Sequence, residues 1–392
     1  MFRPATIRGL AFLFVLALFF RAPLLALLSA LLLLAAGLAW LWNRYAFAKV
    51  AYGRRWGAAR AFPGDTVPLM ISIDNRKPLP LAMLDLRDSF PPGLEVDDAF
   101  IRVDREDRLV LQRTTSLRWY ERVTWTYQVR CTRRGAFRVG PATLDAGDPF
   151  GFFRSSWQVP PQGSLIVYPT LLPLESLGLP ARSPIGTLRA RQLIRDPLRT
   201  VGVRDYQPDD PFKDIHWMAS ARTGTLQTRI YEPTTARELA IVLDLDSFEH
   251  YWQGINEELI ERSISAAATL AQAGLREGYA VGLYVNGAPA QHESLVRLPP
   301  GRSPAQLERI METLARLTPY SVTPVARVLR MAASDLPWGA TILLLSGIQP
   351  QASRAELLRL RERGRATAWL YLGADTPPLV PGVPIHHAPP QA

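Results

Sequence analysis

A single cysteine, Cys131, stands among 392 residues, so no internal disulfide can brace this chain, and a reducing compartment suits it. Histidine is nearly as scarce, with five in all. His292-Glu293 lacks the second histidine of a zinc-protease helix, and His386 and His387 fall in a proline-rich tail. The chain also contains no GxxxxGK[ST], no GxGxxG behind a strand and no GxSxG, which argues against the common nucleotide-binding loops and the nucleophile elbow. Acidic residues are missing in one conspicuous place. Residues 1–64 hold eight Lys/Arg and no Asp/Glu. Subtracting those eight from the formal net charge of +10 leaves +2 for everything from Asp65 onward. The excess charge is therefore a flank on an apolar segment, with no nucleic-acid surface implied.

That segment runs from Leu24 to Trp42, nineteen residues without a charge. At 1.5 Å per residue it reaches roughly 28 Å, the thickness of a bilayer core. Trp40 and Trp42, then Arg44 and Lys49, supply an interfacial belt. Gly9–Phe20 ahead of it is shorter and spans only if Pro4–Arg8 contributes and Arg8 snorkels. Arg21-Ala22-Pro23 makes a sharp turn between them. The expectation is a transmembrane helical hairpin over residues 1–44, with helices at about 5–20 and 24–42. Its connecting loop has one arginine and its distal flank five basic residues, so both ends face the cytoplasm. No small-residue cleavage site closes the first apolar run, which argues against a secretory signal.

The length suggests two to three domains. Residues 45–170 read as strands separated by Pro/Gly turns: Thr66–Asp74, Leu81–Asp88, Leu109–Arg113, Glu121–Arg130 and Ser164–Tyr168. Val123, Trp125, Tyr127 and Val129 alternate with polar neighbours, as in a half-buried antiparallel strand. Short strands at this spacing imply an immunoglobulin-like β-sandwich. Residues 171–235 start as an extended connector. Residues 236–374 alternate strands (Leu239–Leu245, Tyr279–Val285, Ala340–Leu345, Ala366–Leu372) with helices (Ile255–Leu275, Ala305–Leu317, Pro324–Ser334, Ser353–Arg363), which implies an α/β domain with a mostly parallel sheet. Residues 375–392 are proline-rich enough to read as a disordered tail.

The densest stretch is Gly202–Glu232, GVRDYQPDDPFKDIHWMASARTGTLQTRIYE. Asp210-Pro211 reads as an N-cap and first helical residue, with Gly224 just past the C-terminus. Phe212, Ile215, His216, Ala219 and Ser220 then share one helical face, and Arg222–Glu232 alternates as a strand. Two roles suit the polar residues. In the first, Arg204, Arg222 and Arg229 pair with Asp205, Asp210 and Glu232 to fix a sheet edge, and His216 is a hydrogen-bonded packing residue. In the second, His216 with Asp209, Asp210 or Asp214 and Arg204 forms an acid/base cluster of a hydrolase. Exposed charge and aromatics concentrated together also suit a docking face built from Arg204, Asp205, Tyr206, Asp210, His216, Trp217 and Arg222.

Gly202, Arg204, Tyr206-Gln207-Pro208, Asp210, Ile215-His216-Trp217, Ser220-Ala221-Arg222, Gly224, Leu226, Arg229 and Glu232 closely resemble the signature of the bacterial domain of unknown function 58 family. Arg134–Phe137 and Asp148–Phe153 resemble further family features, for which turn and packing chemistry suffices. The chain departs from the pattern at Asp209, where a turn glycine is usual; aspartate tolerates the left-handed conformation better than most residues. The C-terminal block resembles a von Willebrand factor type A domain. Such domains hold Mg²⁺ at the carboxyl ends of their strands through Asp-x-Ser-x-Ser, a threonine and a later aspartate. Asp244 matches, Asp246 and Phe248 replace the two serines, Thr323 fits the threonine, and Ser346-Gly347 lacks the last carboxylate. The resemblance therefore implies no resident cofactor, with a degenerate cation site as an alternative role in adhesion-type binding. It also implies a non-enzymatic scaffold at the bacterial inner membrane, facing the cytoplasm and partnering a MoxR-type AAA+ ATPase.

Overall fold

A computed structural model describes residues 4–96, 101–103, 109–149, 151–180, 184–188, 195–233, 237–290 and 294–390. The chain forms two compact units, which meet in sequence between Tyr168 and Pro169.

The first unit begins with two helices in contact, α1 (Pro4–Phe19) and α2 (Pro23–Arg44), close to the bounds expected from the apolar runs. Pro23 occupies the first turn of α2, where its missing N–H costs no hydrogen bond, and Arg21 turns the chain with φ 54°. The helices expose their large side chains and bury their small ones. Ala17, Ser29, Ala36 and Ala39 are buried, whereas Leu24, Leu27, Leu28, Leu31 and Leu34 stand out. Such a surface is costly in water and at home in lipid. Among the described residues, α2 alone is long and apolar enough to cross a membrane; α1 contributes a shorter apolar stretch, Arg8–Phe19.

Among the described residues twelve strands follow: β1 (Val50–Trp56), β2 (Arg60–Ala61), β3 (Thr66–Asn75), β4 (Leu81–Phe90), β5 (Leu94–Val96), β6 (Ile101–Val103), β7 (Leu109–Leu117), β8 (Arg122–Cys131), β9 (Gly135–Phe137), β10 (Ala142–Gly147), β11 (Arg154–Val159) and β12 (Leu165–Val167). They form antiparallel sheets ordered β1-β3-β8-β5 and β11-β10-β4-β7-β6, plus a small sheet β2-β12-β9 with one parallel pair. Alternate residues of β3 (Val67, Leu69, Ile71, Ile73) and β4 (Leu84, Leu86, Phe90) share one core cluster with Tyr127, Val129 and Leu144. All five expected strands are present. β1 escapes the alternation rule because it points an arginine inward. The side chains of Arg54 and Asp88 are fully buried 2.5 Å apart, and Tyr52 Oη donates to Asp88 Oδ2 at 2.8 Å. Arg54 also donates to the Val139 carbonyl at 2.7 Å, so the buried ions are paired and hydrogen-bonded. Burial and the Asp88 charge push the Tyr52 hydroxyl up, so it stays a donor.

The second unit opens with a single 3₁₀ turn, Leu174–Leu177, and α3 (Pro184–Leu188). This stretch is not the extended connector expected. Leu177, Leu179 and Ile185 are buried, and Thr269 accepts the Leu172 N–H at 2.8 Å. Next come β13 (Arg195–Asp205), α4 (Trp217–Thr223) and β14 (Gln227–Pro233), with β13 and β14 paired antiparallel. The α/β body comprises β15 (Glu238–Leu243), α5 (Glu257–Arg276), β16 (Ala280–Val285), β17 (Gly287–Pro289), β18 (Val296–Gly301), α6 (Pro304–Arg316), β19 (Leu317–Ser321), α7 (Val325–Asp335), β20 (Thr341–Ser346), α8 (Gln351–Glu362), β21 (Ala366–Tyr371) and β22 (Ile385–His387). Its main sheet has the order β18-β16-β15-β20-β21-β22, and every pair is parallel except β16–β18. β15, β16, β20 and β21 are buried almost throughout, as strands covered on both faces must be.

The proline-rich tail corrects the sequence reading. Far from disordered, it lays β22 parallel to β21, and Val380, Val383 and Ala388 are buried. His387 stacks on Tyr371 at 5.5 Å, and its Nε2 lies 2.9 Å from the Gly373 carbonyl oxygen. Prolines hide this pattern in sequence, yet they suit a short edge strand that needs few donors.

Removing the carboxylate of Asp88 strands the buried Arg54 guanidinium. Asp88→Ala is expected to destabilise the first unit by about 3–5 kcal/mol, measured as a lower denaturant midpoint of the full chain in detergent. A loss under 1 kcal/mol contradicts the buried pairing.

Candidate functional site

Arg204 leaves β13 opposite Thr228, and Asp205 opposite Gln227. A turn follows, closed by Asp210 N–H donating to the Gln207 carbonyl at 2.9 Å. Asp210 then secures this turn from both sides: Oδ1 accepts from Arg204 Nη2 at 2.6 Å and Oδ2 from the Gln207 N–H at 3.0 Å. The Arg204 guanidinium, then that backbone N–H, hold the Asp210 carboxyl below its usual range. Asp209 needs no left-handed backbone: among the described non-glycine residues, positive φ occurs at Arg21, Lys49 and Tyr120. Asp205 pairs with a neutral donor, Gln227 Nε2, at 2.6 Å, rather than with an arginine. The side chain of Glu232 lies outside the described residues, as do His292 and Glu293.

The helix expected from Pro211 onward is interrupted. A 3₁₀ turn covers Phe212–Asp214, and Ile215 is extended (φ −62°, ψ 131°), paired in a β-bridge with Thr228 and 2% exposed. Burying Ile215 against the strand outweighs the local helical preference, so α4 starts only at Trp217. His216 becomes its N-cap. Its Nδ1 accepts the Ala219 N–H at 3.1 Å, while its own N–H donates to the Gln227 carbonyl at 2.8 Å. Ser220 Oγ donates to the His216 carbonyl at 3.1 Å and accepts the Gln227 N–H at 2.8 Å. Gly224 ends the helix in the left-handed conformation (φ 73°), as expected. Tyr231 Oη donates to Asp214 at 3.2 Å. The imidazole of His216 is thus engaged with backbone, and the bonds of Asp210 and Asp214 go elsewhere.

Apolar side chains are what this segment leaves outside. Phe212 is 72% exposed, Trp217 64% and Met218 70%, with Val203, Leu226 and Ile230 also exposed. Tyr206 supports Phe212 from behind, ring centroids 5.8 Å apart. Arg222 is exposed in the last turn of α4, where a cation suits the helix dipole.

At the carboxyl edge of the sheet, Asp244 follows β15 and is buried. Asn286 bridges the two candidate carboxylates, donating from Nδ2 to Asp244 at 2.7 Å and to Asp246 at 3.3 Å. The Leu245 N–H donates to Asn286 Oδ1 at 2.8 Å and fixes that amide's orientation. Asp246 also accepts from Ser321 Oγ, two residues before the half-buried Thr323. Asp244 Oδ2 has no partner, and burial, then the Asp246 charge, push its carboxyl well up. These residues fit Mg²⁺ poorly. An amide N–H stands between the carboxylates, and the Ser346 hydroxyl is engaged with the Ile348 carbonyl and Trp369. A Cβ built on Gly347 would overlap the Leu259 side chain, so an aspartate cannot stand there without repacking. Among the described residues no group of three or more His, Cys, Asp or Glu could hold a metal ion.

A cavity of about 570 Å³ lies at the same strand ends, lined by Phe248, Leu259, Arg262, Tyr371 and Asp375 among others. Arg262 Nη2 donates to the Pro389 carbonyl at 2.5 Å, and Nη1 has no partner. Sequence reading missed it because the tail forms part of its wall.

Residues 202–362 match the family described as "Protein of unknown function DUF58". A relative in Bacillus subtilis (strain 168), "Uncharacterized protein YeaD", is 24% identical over 242 residues, 59% of this chain and 54% of that protein. The chain thus spans about half the length of the curated relative it matches. Among solved structures, a non-cellulosomal cohesin from Archaeoglobus fulgidus is 16% identical, covering 28% of this chain and 91% of the cohesin at a TM-score of 0.20. A collagen-binding domain from a Staphylococcus aureus adhesin is 14% identical, covering 29% and 96%, at 0.19.

Two outcomes are expected. His216→Ala speeds amide exchange across Trp217–Thr223 about fivefold, equivalent to about 1 kcal/mol of capping, and His216→Asn restores it; unchanged exchange in the alanine variant contradicts the cap. The raised Asp244 carboxyl gives stability that is full below its unfolded value and is lost as pH rises through its folded value. Asp244→Asn therefore flattens thermal midpoint against pH in that direction, and millimolar Mg²⁺ leaves the wild-type midpoint unchanged. A Mg²⁺-dependent rise that disappears in Asp244→Ala contradicts the misfit.

Proposed function

We propose that this chain, whose residues 202–362 match the DUF58 family of proteins of unknown function, is a membrane-anchored binding or scaffold protein that breaks no bonds itself. The observation that carries this reading is the partition of the signature segment. Its polar groups are engaged internally, Arg204 with Asp210 and His216 with Ala219, while Phe212, Trp217 and Met218 remain exposed. Aromatic and methionine side chains on a braced surface are what a protein partner uses as anchors. A MoxR-type AAA+ ATPase is the partner that the family resemblance favours.

The α1–α2 pair is the anchor in this reading, crossing the bacterial inner membrane as a hairpin. The lone Arg21 between the helices and the basic run after Arg44 support both soluble units facing the cytoplasm. The first unit then serves as an immunoglobulin-like spacer and the second as a von Willebrand factor A-like domain whose cation site has been replaced by the Asn286 bridge. A hydrolase centred on His216 is disfavoured by the same engagement of its ring that supports docking.

The test uses full chain in nanodiscs and a purified MoxR-type ATPase. Trp217→Ala and Met218→Ala are each expected to weaken binding about tenfold or more with unchanged thermal midpoint. Undiminished binding in the double variant, or no binding by the wild type, contradicts the proposal.

A further inference from the structure

The end of α2 is built into the first unit without a free linker. Tyr45, Ala46, Ala48 and Val50 donate backbone N–H bonds to Leu41, Asn43, Tyr45 and Phe47, so the chain turns directly from helix into β1. Ala46 is buried in the β core, Phe47 packs on Trp157 at 5.8 Å, and the buried Lys77 donates from Nζ to the Ala46 carbonyl at 2.5 Å. Strand register then fixes which turns share this end. Val50 pairs with Asn75, Asp74 with Arg122, and Leu81 with Leu117. The turns 76–80 and 118–121 therefore open at the end of the sheets where α2 enters.

The second of these turns is braced. The fully buried Asn75 donates from Nδ2 to the Arg118 carbonyl at 2.8 Å and to that of Leu79 at 3.0 Å. The Tyr120 N–H reaches the Lys77 carbonyl at 3.3 Å, and Glu121 accepts the Arg118 N–H at 2.6 Å. Tyr120 has φ 53°, a left-handed conformation that a tyrosine adopts only when its surroundings impose it. The result is a pair of large aromatic rings presented to the outside, Trp119 at 67% and Tyr120 at 68% exposure. Around them stand the exposed Lys49, Arg76, Arg118 and Arg122, countered by Asp74, which both Arg76 and Arg122 share, and by Glu121. Four cations against two acids leave the patch basic. Tryptophan and tyrosine favour the headgroup level of a bilayer, and clustered Lys/Arg favour anionic lipid.

We infer that the Trp119–Tyr120 turn, with Lys49, Arg76 and Arg118 beside it, is a second membrane contact that seats on anionic lipid headgroups next to the helix. Its occupant is the bilayer itself, because the patch is continuous with the end of the helix that would span it and its charge complements acidic lipid. The contact rests on the reading that α2 crosses the membrane. It would hold the first unit against the surface in one orientation rather than letting it swing.

The experiment uses full chain in vesicles of phosphatidylcholine, with or without phosphatidylglycerol, carrying a nitroxide on one introduced cysteine at a time. Native Cys131 stays unlabelled, being fully buried with its thiol pushed up to about 11. Labels replace Leu34 within α2, Trp119 at the turn, and Arg133 at the far end of the sheets. With phosphatidylglycerol present, the Leu34 and Trp119 labels are expected to favour oxygen over a nickel chelate as relaxation agent, and the Arg133 label the reverse. Adding Arg76→Glu and Arg118→Glu, or omitting phosphatidylglycerol, should shift the Trp119 label toward the nickel chelate and leave Leu34 unmoved. A Trp119 label as water-exposed as Arg133, with Leu34 in lipid, overturns this contact alone. A water-exposed Leu34 label overturns the spanning helix and the contact with it.

Discussion

Ile215 is buried and its backbone pairs with Thr228, so the chain arrives at His216 extended rather than helical. The helical part of the signature segment follows from that bridge. With Ile215 in β-conformation, α4 begins only at Trp217, and His216 is the residue whose side chain closes its first turn. Ser220 and Gln227 lock the same turn onto β14 through side-chain and backbone bonds. Trp217 and Met218, first in the helix, are left facing outward.

The Arg204–Asp210 pair works on the other side of the bridge. Its partners are six residues apart and partly exposed, so the ion pair by itself contributes modestly. Its value lies in geometry. Asp210 also accepts the Gln207 N–H, and the two bonds together set the direction in which the chain leaves β13 toward Phe212. A braced turn, a buried bridge and a capped short helix make an apolar surface whose shape is set before any partner arrives, which lowers the ordering cost of association.

Much of this architecture was legible in the residues. Continuous apolar runs such as Leu239–Leu243 announced buried parallel strands, and Ile260, Ile264, Ala267 and Ala271 announced a helix face, because those patterns answer directly to burial on both sides or one. Other features depended on contacts that no local pattern encodes. β1 hid because Arg54 points inward, which is tolerable only with Asp88 thirty-four residues away. The tail hid because Val380, Val383 and Ala388 are interleaved with prolines and matter only beside β21. At the sheet edge, the missing carboxylate at Gly347 was visible, but Asn286, which bridges Asp244 and Asp246, was not, since nothing in its neighbourhood marks an asparagine as their partner. The place of His216 was half legible: a hydrogen-bonded residue of the short helix, yet a cap at its start instead of a residue on its packed face.

In the proposed reading, the exposed face of Phe212, Trp217 and Met218 is where this protein meets another. Hydrogen–deuterium exchange on the full chain in nanodiscs, with and without a purified MoxR-type ATPase, tests it most directly. Protection confined to Phe212–Met218 and the adjoining part of β14 is the predicted result. Protection appearing instead around Asp244–Phe248 and Gly347–Pro350, with Phe212–Met218 unchanged, would contradict it.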